Sequence, residues 1–203
     1  IYQCDWSSDV CSSDLGKLLE IGTRFGASAV LWQELLPNFI HSIAEVDITN
    51  LDERNMRMLD PNRVELLHVD AYTENFLQYL RDNHSDGYDI IIDDGPHTLE
   101  SQIFTVQNFV NFLKPGGVLV IEDVLTVENM AELIANIPAG HTYQTFDLRH
   151  IKGRYDDLAL VVRKKKLKRE AKIVMIAMFA NEAPVLRRML DSTLGYCDYY
   201  VMQ

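Results

Sequence analysis

The chain's 203 residues, 47% of them hydrophobic, suffice for one complete domain with a sizeable core. A net charge of −11 argues against nucleic acid as a general partner, and no apolar run approaches the roughly 20 residues of a membrane-spanning helix. Cys4 and Cys11 fall in or beside an N-terminal segment of foreign character, leaving Cys197 alone, so neither a disulfide framework nor a zinc set is expected; a reducing, cytoplasmic setting fits.

Residues 5–15 read DWSSDVCSSDL, the in-frame translation of a string that resembles a common short-read sequencing adapter. Residues 1–15 are therefore expected to be an artefact, and the true N-terminal segment to be missing. Residues 17–22 (KLLEIG) then form a short apolar strand, followed by TRFG and a helical pattern over 27–36. Gly22 permits a tight strand-to-helix turn, and Gly26 lets a ligand approach the backbone closely. The spacing E-I-G-x-x-x-G is not the dinucleotide fingerprint, which needs a glycine where Arg24 stands. The next apolar run, FIHSIAEVD, ends in Asp47, where a carboxylate can accept hydrogen bonds from both hydroxyls of a ribose. A third run, RVELLHVDA, delivers Asp70 and Ala71 to meet an adenine edge.

Alternation of strands and helices continues. Residues 50–58 and 73–81 read as helices, the second with Phe76, Leu77 and Leu80 on one face. Residues 88–97 and 114–123 read as buried strands ending in acid, YDIIIDD into GPH and KPGGVLV into IED. Between them, Leu99, Ile103, Val106, Val110 and Leu113 recur at spacings of four and three, an amphipathic helix that the KPGG segment stops. In an open parallel sheet, ligands bind outside the C-terminal strand ends. If the two strands are neighbours, about 4.8 Å apart, Asp94, His97, Glu122 and Asp123 converge on one small volume. The carboxylates would repel one another unless something positive sits between them, and a hard divalent cation such as Mg²⁺ suits oxygen ligands. Asp93 has two readings, a contact to a bound ligand or a cap of the turn; Glu20 likewise reaches either a bound ligand through water or only a backbone N–H. Residues 142–149 and 157–163 form two strands joined by too short a connection for a parallel crossover, so they pair antiparallel.

These motifs, from about residue 17 to residue 164, resemble the class I S-adenosylmethionine-dependent methyltransferases. The resemblance implies an α/β, Rossmann-like fold, a mostly parallel seven-stranded sheet with a C-terminal antiparallel hairpin, over residues 16–163. It implies a cofactor site of Glu20, Gly22, Thr23, Gly26, Asp47, Asp70, Ala71 and Asp93. DDGPH with IED is similar to the metal-dependent sugar O-methyltransferases of macrolide biosynthesis and the cephalosporin-hydroxylase group. That similarity implies Mg²⁺ on Asp94, Glu122 and Asp123 and His97 as the base that takes the acceptor's proton. Pro96 stands where those families commonly have serine, which rigidifies the turn without removing a ligand. The expected acceptor is a hydroxyl of a saccharide or glycosylated small molecule. A different hydroxylated metabolite, or a non-catalytic cofactor-binding module, is the alternative.

Residues 163–169 (RKKKLKR) read as a basic linker, placed at 164–170 between domains. A new strand-like run, KIVMIAMF, then NEAP, a helical pattern and a final apolar run resemble the opening of a family 2, GT-A-type glycosyltransferase. Residues 171–203 are thus expected to be the truncated start of a fused second domain, with an extra β-α-β appendage as the alternative. Oligomeric state leaves no signal in the sequence.

Overall fold

A computed structural model describes residues 15–45, 51–153 and 155–165. The expected artefact up to residue 14, Asp47, most of the basic linker and the expected glycosyltransferase segment lie outside the described residues. The chain alternates β1 (Gly16–Ile21), α1 (Ala27–Leu35), β2 (Phe39–Glu45), α2 (Glu53–Met58), β3 (Val64–His68), α3 (Glu74–Asn83), β4 (Tyr88–Asp93), α4 (Leu99–Asn108), β5 (Leu113–Ile121), α5 (Val127–Ala135), β6 (His141–Asp147), α6 (Arg149–Lys152) and β7 (Leu158–Lys164). The strands form one seven-stranded sheet in the order β3-β2-β1-β4-β5-β7-β6. Its first five strands pair parallel, and β7 runs antiparallel to both β5 and β6. The expected fold class and its terminal hairpin are both present.

The central strands are apolar on both faces because helices cover both. On one face, Leu19, Ile21, Ile91, Leu119, Ile121 and Leu160 pack with Leu77 and Leu80 of α3 and Val106 of α4. On the other, Leu18 and Ile92 pack with Trp32 of α1. Three helices start alike: Thr73, Thr98 and Thr126 accept from the backbone N–H of Phe76, Ser101 and Asn129. Each has a glutamate in its first turn, where the helix dipole favours negative charge. No helix among the described residues is long and apolar enough to cross a membrane.

One expectation is corrected. The helix before KPGG ends at Asn108 in a 3₁₀ turn over Phe109–Phe112, and Leu113 already belongs to β5. Tyr88 pairs with Leu113, but Ile90 pairs with Val118, so the KPGG residues are accommodated as a bulge inside the strand. Gly116 takes a φ of 88°, and a Cβ on Gly117 would lie 2.9 Å from the Tyr88 carbonyl oxygen, so the glycines serve the bulge rather than a turn before it.

The burial pattern sets a stability contrast. Ile91→Ala, at a fully buried site in β4, is expected to cost about 2–5 kcal/mol, whereas Tyr143→Ala, half exposed on edge strand β6, should cost under about 1 kcal/mol. Urea unfolding of the two variants measures both.

Candidate functional site

The register of the central strands brings the acids together. Ile21 of β1 and Ile121 of β5 both pair with Asp93 of β4. The ladder runs one residue further, with Asp94 N–H donating to the Ile21 carbonyl at 2.9 Å and Glu122 N–H to the Asp93 carbonyl at 3.0 Å. Gly22, Asp94 and Glu122 therefore leave the sheet side by side. A Cβ on Gly22, whose φ is 78°, would run into the Asp94 carbonyl, so only glycine lets the two turns lie this close.

Beyond the strand ends lies a cavity of about 1060 Å³. On one side it is walled by Gly22, Arg24, Glu45, Asp70, Ala71 and Tyr72, on the other by Asp94, His97, Glu100, Phe104, Glu122 and Asp123. His97 and Asp123 are non-glycine residues in the left-handed region, with φ of 56° and 50°. His97 Nε2 is 3.1 Å from Asp94 Oδ1, and its Nδ1 is 3.9 Å from Asp123 Oδ2. One ligand atom from each of Asp94, His97 and Asp123 falls within 4.8 Å of the other two, a set able to hold a metal ion. Glu122 lines the same cavity but is not in that set. Consecutive residues leaving a strand project to different sides, and the left-handed turn at Asp123 carries its carboxylate toward His97.

The other expected residues divide clearly. Gly22, Asp70 and Ala71 line the cavity, whereas Glu20, Thr23, Gly26 and Asp93 do not. Glu20, 1% exposed, faces His41 of β2, with Oε2 and Nε2 2.9 Å apart but not aligned as a hydrogen bond. Thr23 is buried, its hydroxyl 2.9 Å from that of Ser28, and Gly26 caps α1 with a φ of 80°. Asp93 is 2% exposed and turned into the interior, where burial raises its carboxyl pKa.

Two residues escaped the sequence reading. Glu45, the last residue of β2, accepts from the N–H groups of Thr23 at 2.9 Å and Arg24 at 3.0 Å, pinning the glycine loop to the neighbouring strand. Its signal was its place two residues before Asp47 at the end of the same apolar run. Gln102, 2% exposed in α4, donates to the Glu122 carbonyl at 3.1 Å and holds the turn that carries Asp123. Nothing in the sequence separates it from an ordinary helical glutamine.

The hydrogen bond with Asp94, aided by the charges of Asp94 and Asp123 and opposed by burial, raises the His97 pKa above its ordinary 6.5. A raised histidine contributes stability that is fully present below the unfolded-state value and lost as pH rises through the folded one. Asp94→Asn should therefore lower the His97 midpoint in an NMR titration. The stability it loses relative to wild type should be larger at about pH 5.5 than at about pH 9, as read by urea unfolding.

A family profile described as a methyltransferase domain matches residues 19–124. No curated protein sequence matches the chain. Among solved structures, the chain resembles an O-methyltransferase from Bacillus cereus in complex with SAH, at a TM-score of 0.60 and 18% identity over 73% of this chain and 74% of that one. It also resembles the MycE methyltransferase of the mycinamycin biosynthetic pathway, in complex with Mg, SAH and mycinamycin VI. There the TM-score is 0.54 and the identity 16% over 79% of this chain, which spans only 48% of MycE. A third relative in fold is the N-methyltransferase NodS from Bradyrhizobium japonicum WM9, at 0.53 and 18% over 75% of this chain and 87% of that one. With the family profile spanning more than half of its length, the chain belongs to the methyltransferase-domain family and carries the fold of S-adenosylmethionine-dependent methyltransferases.

Proposed function

We propose that the protein is a Mg²⁺-dependent O-methyltransferase that uses S-adenosylmethionine to methylate a hydroxyl of a small acceptor, a saccharide or glycosylated molecule. The observation that carries this reading is the meeting of Asp94, His97 and Asp123 at the strand ends, beside the loop that begins at Gly22. The residues fit both groups. Two carboxylates are hard oxygen donors of the kind Mg²⁺ takes. The cavity, about 1060 Å³, lies just above the range for one small-molecule site, roughly 300–1,000 Å³, and so has room for a cofactor and an acceptor together.

When bound, S-adenosylmethionine supplies an electrophilic methyl group on a sulfonium, and Mg²⁺ supplies Lewis acidity toward the acceptor hydroxyl. Asp94 and Asp123 would hold the cation, with Glu122 on the rim of the same cavity. Gly22, Asp70 and Ala71, with Asp47 from outside the described residues, form the proposed cofactor side. His97, half-buried and held by Asp94, takes the proton of the acceptor hydroxyl as that oxygen becomes methylated. The chain's part is mostly positioning: the left-handed backbone at His97 and Asp123 aims their side chains at one point. Glu100, Ser101 and Glu122 in the cavity wall suit a hydroxylated acceptor better than a flat apolar one. MycE, whose structure holds Mg, SAH and mycinamycin VI together, supports the same reading by likeness of fold. Residues 171–203 remain proposed as the start of a fused glycosyltransferase, which would place sugar attachment beside sugar methylation.

Calorimetric titration of the full chain with S-adenosylhomocysteine and then Mg²⁺ tests the assignment. Both should bind, and Asp94→Ala should abolish Mg²⁺ binding while retaining S-adenosylhomocysteine. A folded wild type that binds S-adenosylhomocysteine but no Mg²⁺ removes the metal from the mechanism; one that binds neither removes the methyltransferase reading. On an acceptor that turns over, His97→Ala should lower kcat by about 10²–10⁴-fold with cofactor affinity unchanged, and an unchanged kcat rules His97 out as the base.

A further inference from the structure

Asp93 is a buried carboxylate that does not line the cavity, yet two of its side-chain donors, Tyr72 and Gly95, do, and the third, Thr105, lies in α4. Its Oδ1 accepts from the Tyr72 hydroxyl at 2.5 Å and from the Gly95 N–H at 3.3 Å, and its Oδ2 accepts from the Thr105 hydroxyl at 2.5 Å. No lysine or arginine is among these partners. A buried carboxylate without a paired cation is costly unless its lone pairs are satisfied, and here three donors satisfy them. Burial and the adjoining Asp93 push the Tyr72 hydroxyl far above its ordinary range, so it remains a donor.

The donors come from three separate pieces of the site. Tyr72 follows Asp70 and Ala71 on the cofactor side, and Asp70 Oδ1 accepts from its N–H at 2.9 Å. Gly95 lies in the turn that carries Asp94 and His97. Thr105, fully buried in α4, is three residues from Gln102, which holds the Glu122 carbonyl. Gly95 itself lies outside the left-handed region; a Cβ there would collide with the Tyr72 hydroxyl, so glycine at this point serves the contact rather than the turn.

We infer that Asp93 is the positioning residue of this site: through Tyr72, Gly95 and Thr105 it locks the turn bearing Asp94 and His97 against the cofactor wall and α4, and so sets the affinity for the divalent cation. The inference rests on the proposed metal reading for its affinity readout, and on geometry alone for the rigidity of the turn. Of the two readings of Asp93, a cofactor contact or a cap of the turn, its bond from the Gly95 N–H accords with the second.

Thr105→Val in the full chain isolates the effect, because it keeps the side-chain shape, lies outside the cavity and deletes only the donor to Asp93 Oδ2. A direct hydrogen-bond partner of a metal ligand typically contributes about 10- to 100-fold in metal affinity; Thr105 acts one contact further out, through Asp93, so a loss of Mg²⁺ affinity of roughly 3- to 10-fold, below that range, is expected by calorimetry, with S-adenosylhomocysteine affinity within about twofold. Amide hydrogen exchange should quicken at Gly95 and His97 but not in β1 or β4. Unchanged Mg²⁺ affinity with unchanged exchange at Gly95 and His97 overturns the inference, as does a parallel loss of both ligands with exchange raised throughout. A wild type with no Mg²⁺ affinity sinks the metal reading instead, and the exchange pattern alone then decides for or against the locked turn. Should Thr105→Val fail to fold, Tyr72→Phe removes the donor to Oδ1 and is read by the same Mg²⁺ and exchange measurements.

Discussion

The alignment of three parallel strand ends is the constraint on which the rest of the site depends. Ile21, Asp93 and Ile121 are bridged across β1, β4 and β5, and the residues that follow them supply the glycine turn and two of the acids. The side-chain period of a strand is two, so a slip of β4 by one residue would send Asp94 into the interior and Asp93 into the cavity. Ile90, Ile91 and Ile92 cannot prevent such a slip, since an apolar run between two covered faces is indifferent to which side each residue takes. The polar ends of the strand can. Asp89 accepts from the Lys17 N–H at 2.8 Å and from Lys114 Nζ at 2.7 Å, and Asp93 takes the donors of Tyr72 and Thr105. The isoleucines supply burial energy, and the aspartates at either end set the register.

Strain is concentrated where the chemistry is proposed. His97 and Asp123 take a backbone conformation that non-glycine residues rarely adopt. Such residues cost of order 1–3 kcal/mol each and persist only where the surroundings over-determine them. The surroundings here are specific. Gln102 grips the carbonyl ahead of Asp123, and Asp93 grips the N–H two residues before His97. Both holds run through α4 or its packing partners. Pro96 adds stiffness to the same turn, since its ring restricts φ.

Most of the fold was legible in the sequence because its signals are local. Apolar runs of strand length, apolar residues recurring at helical spacing, and a short link between the last two strands need no long-range information. KPGG was misread because glycine and proline after a helical period signal a stop, while a bulge is visible only against the partner strand. The acids at the strand ends were legible as a group, and the structure brings Asp94, His97, Glu122 and Asp123 to one cavity. Their individual bearings were not legible. Whether Glu122 or Asp123 faces His97 depends on one backbone angle, and whether Asp93 faces the cavity depends on donors 12 and 21 residues distant in sequence. Glu20 shows the same limit, because its partner His41 lies on the neighbouring strand and no short motif encodes that contact.

The charge of the cavity joins these pieces. Glu45, Asp70, Asp94, Glu100, Glu122 and Asp123 all line it, against Arg24 and the titratable His97. At an effective dielectric of about 20, two like charges 4 Å apart repel by about 4 kcal/mol, and Asp94 and Asp123, with carboxylate oxygens within 4.8 Å, come near that spacing, so they gain most from positive charge between them. The backbone N–H groups of Thr23 and Arg24 bring partial positive charge to Glu45, and the His97 ring, set between Asp94 and Asp123, meets part of their need on the opposite wall. A sulfonium and a divalent cation are the two ligands proposed, and both bring positive charge to the walls where carboxylates gather. A histidine needed as a base cannot also remain the counter-ion of those carboxylates. On the proposed reading the two roles are compatible: a cation balancing Asp94 and Asp123 would free His97 from its part as their counter-ion.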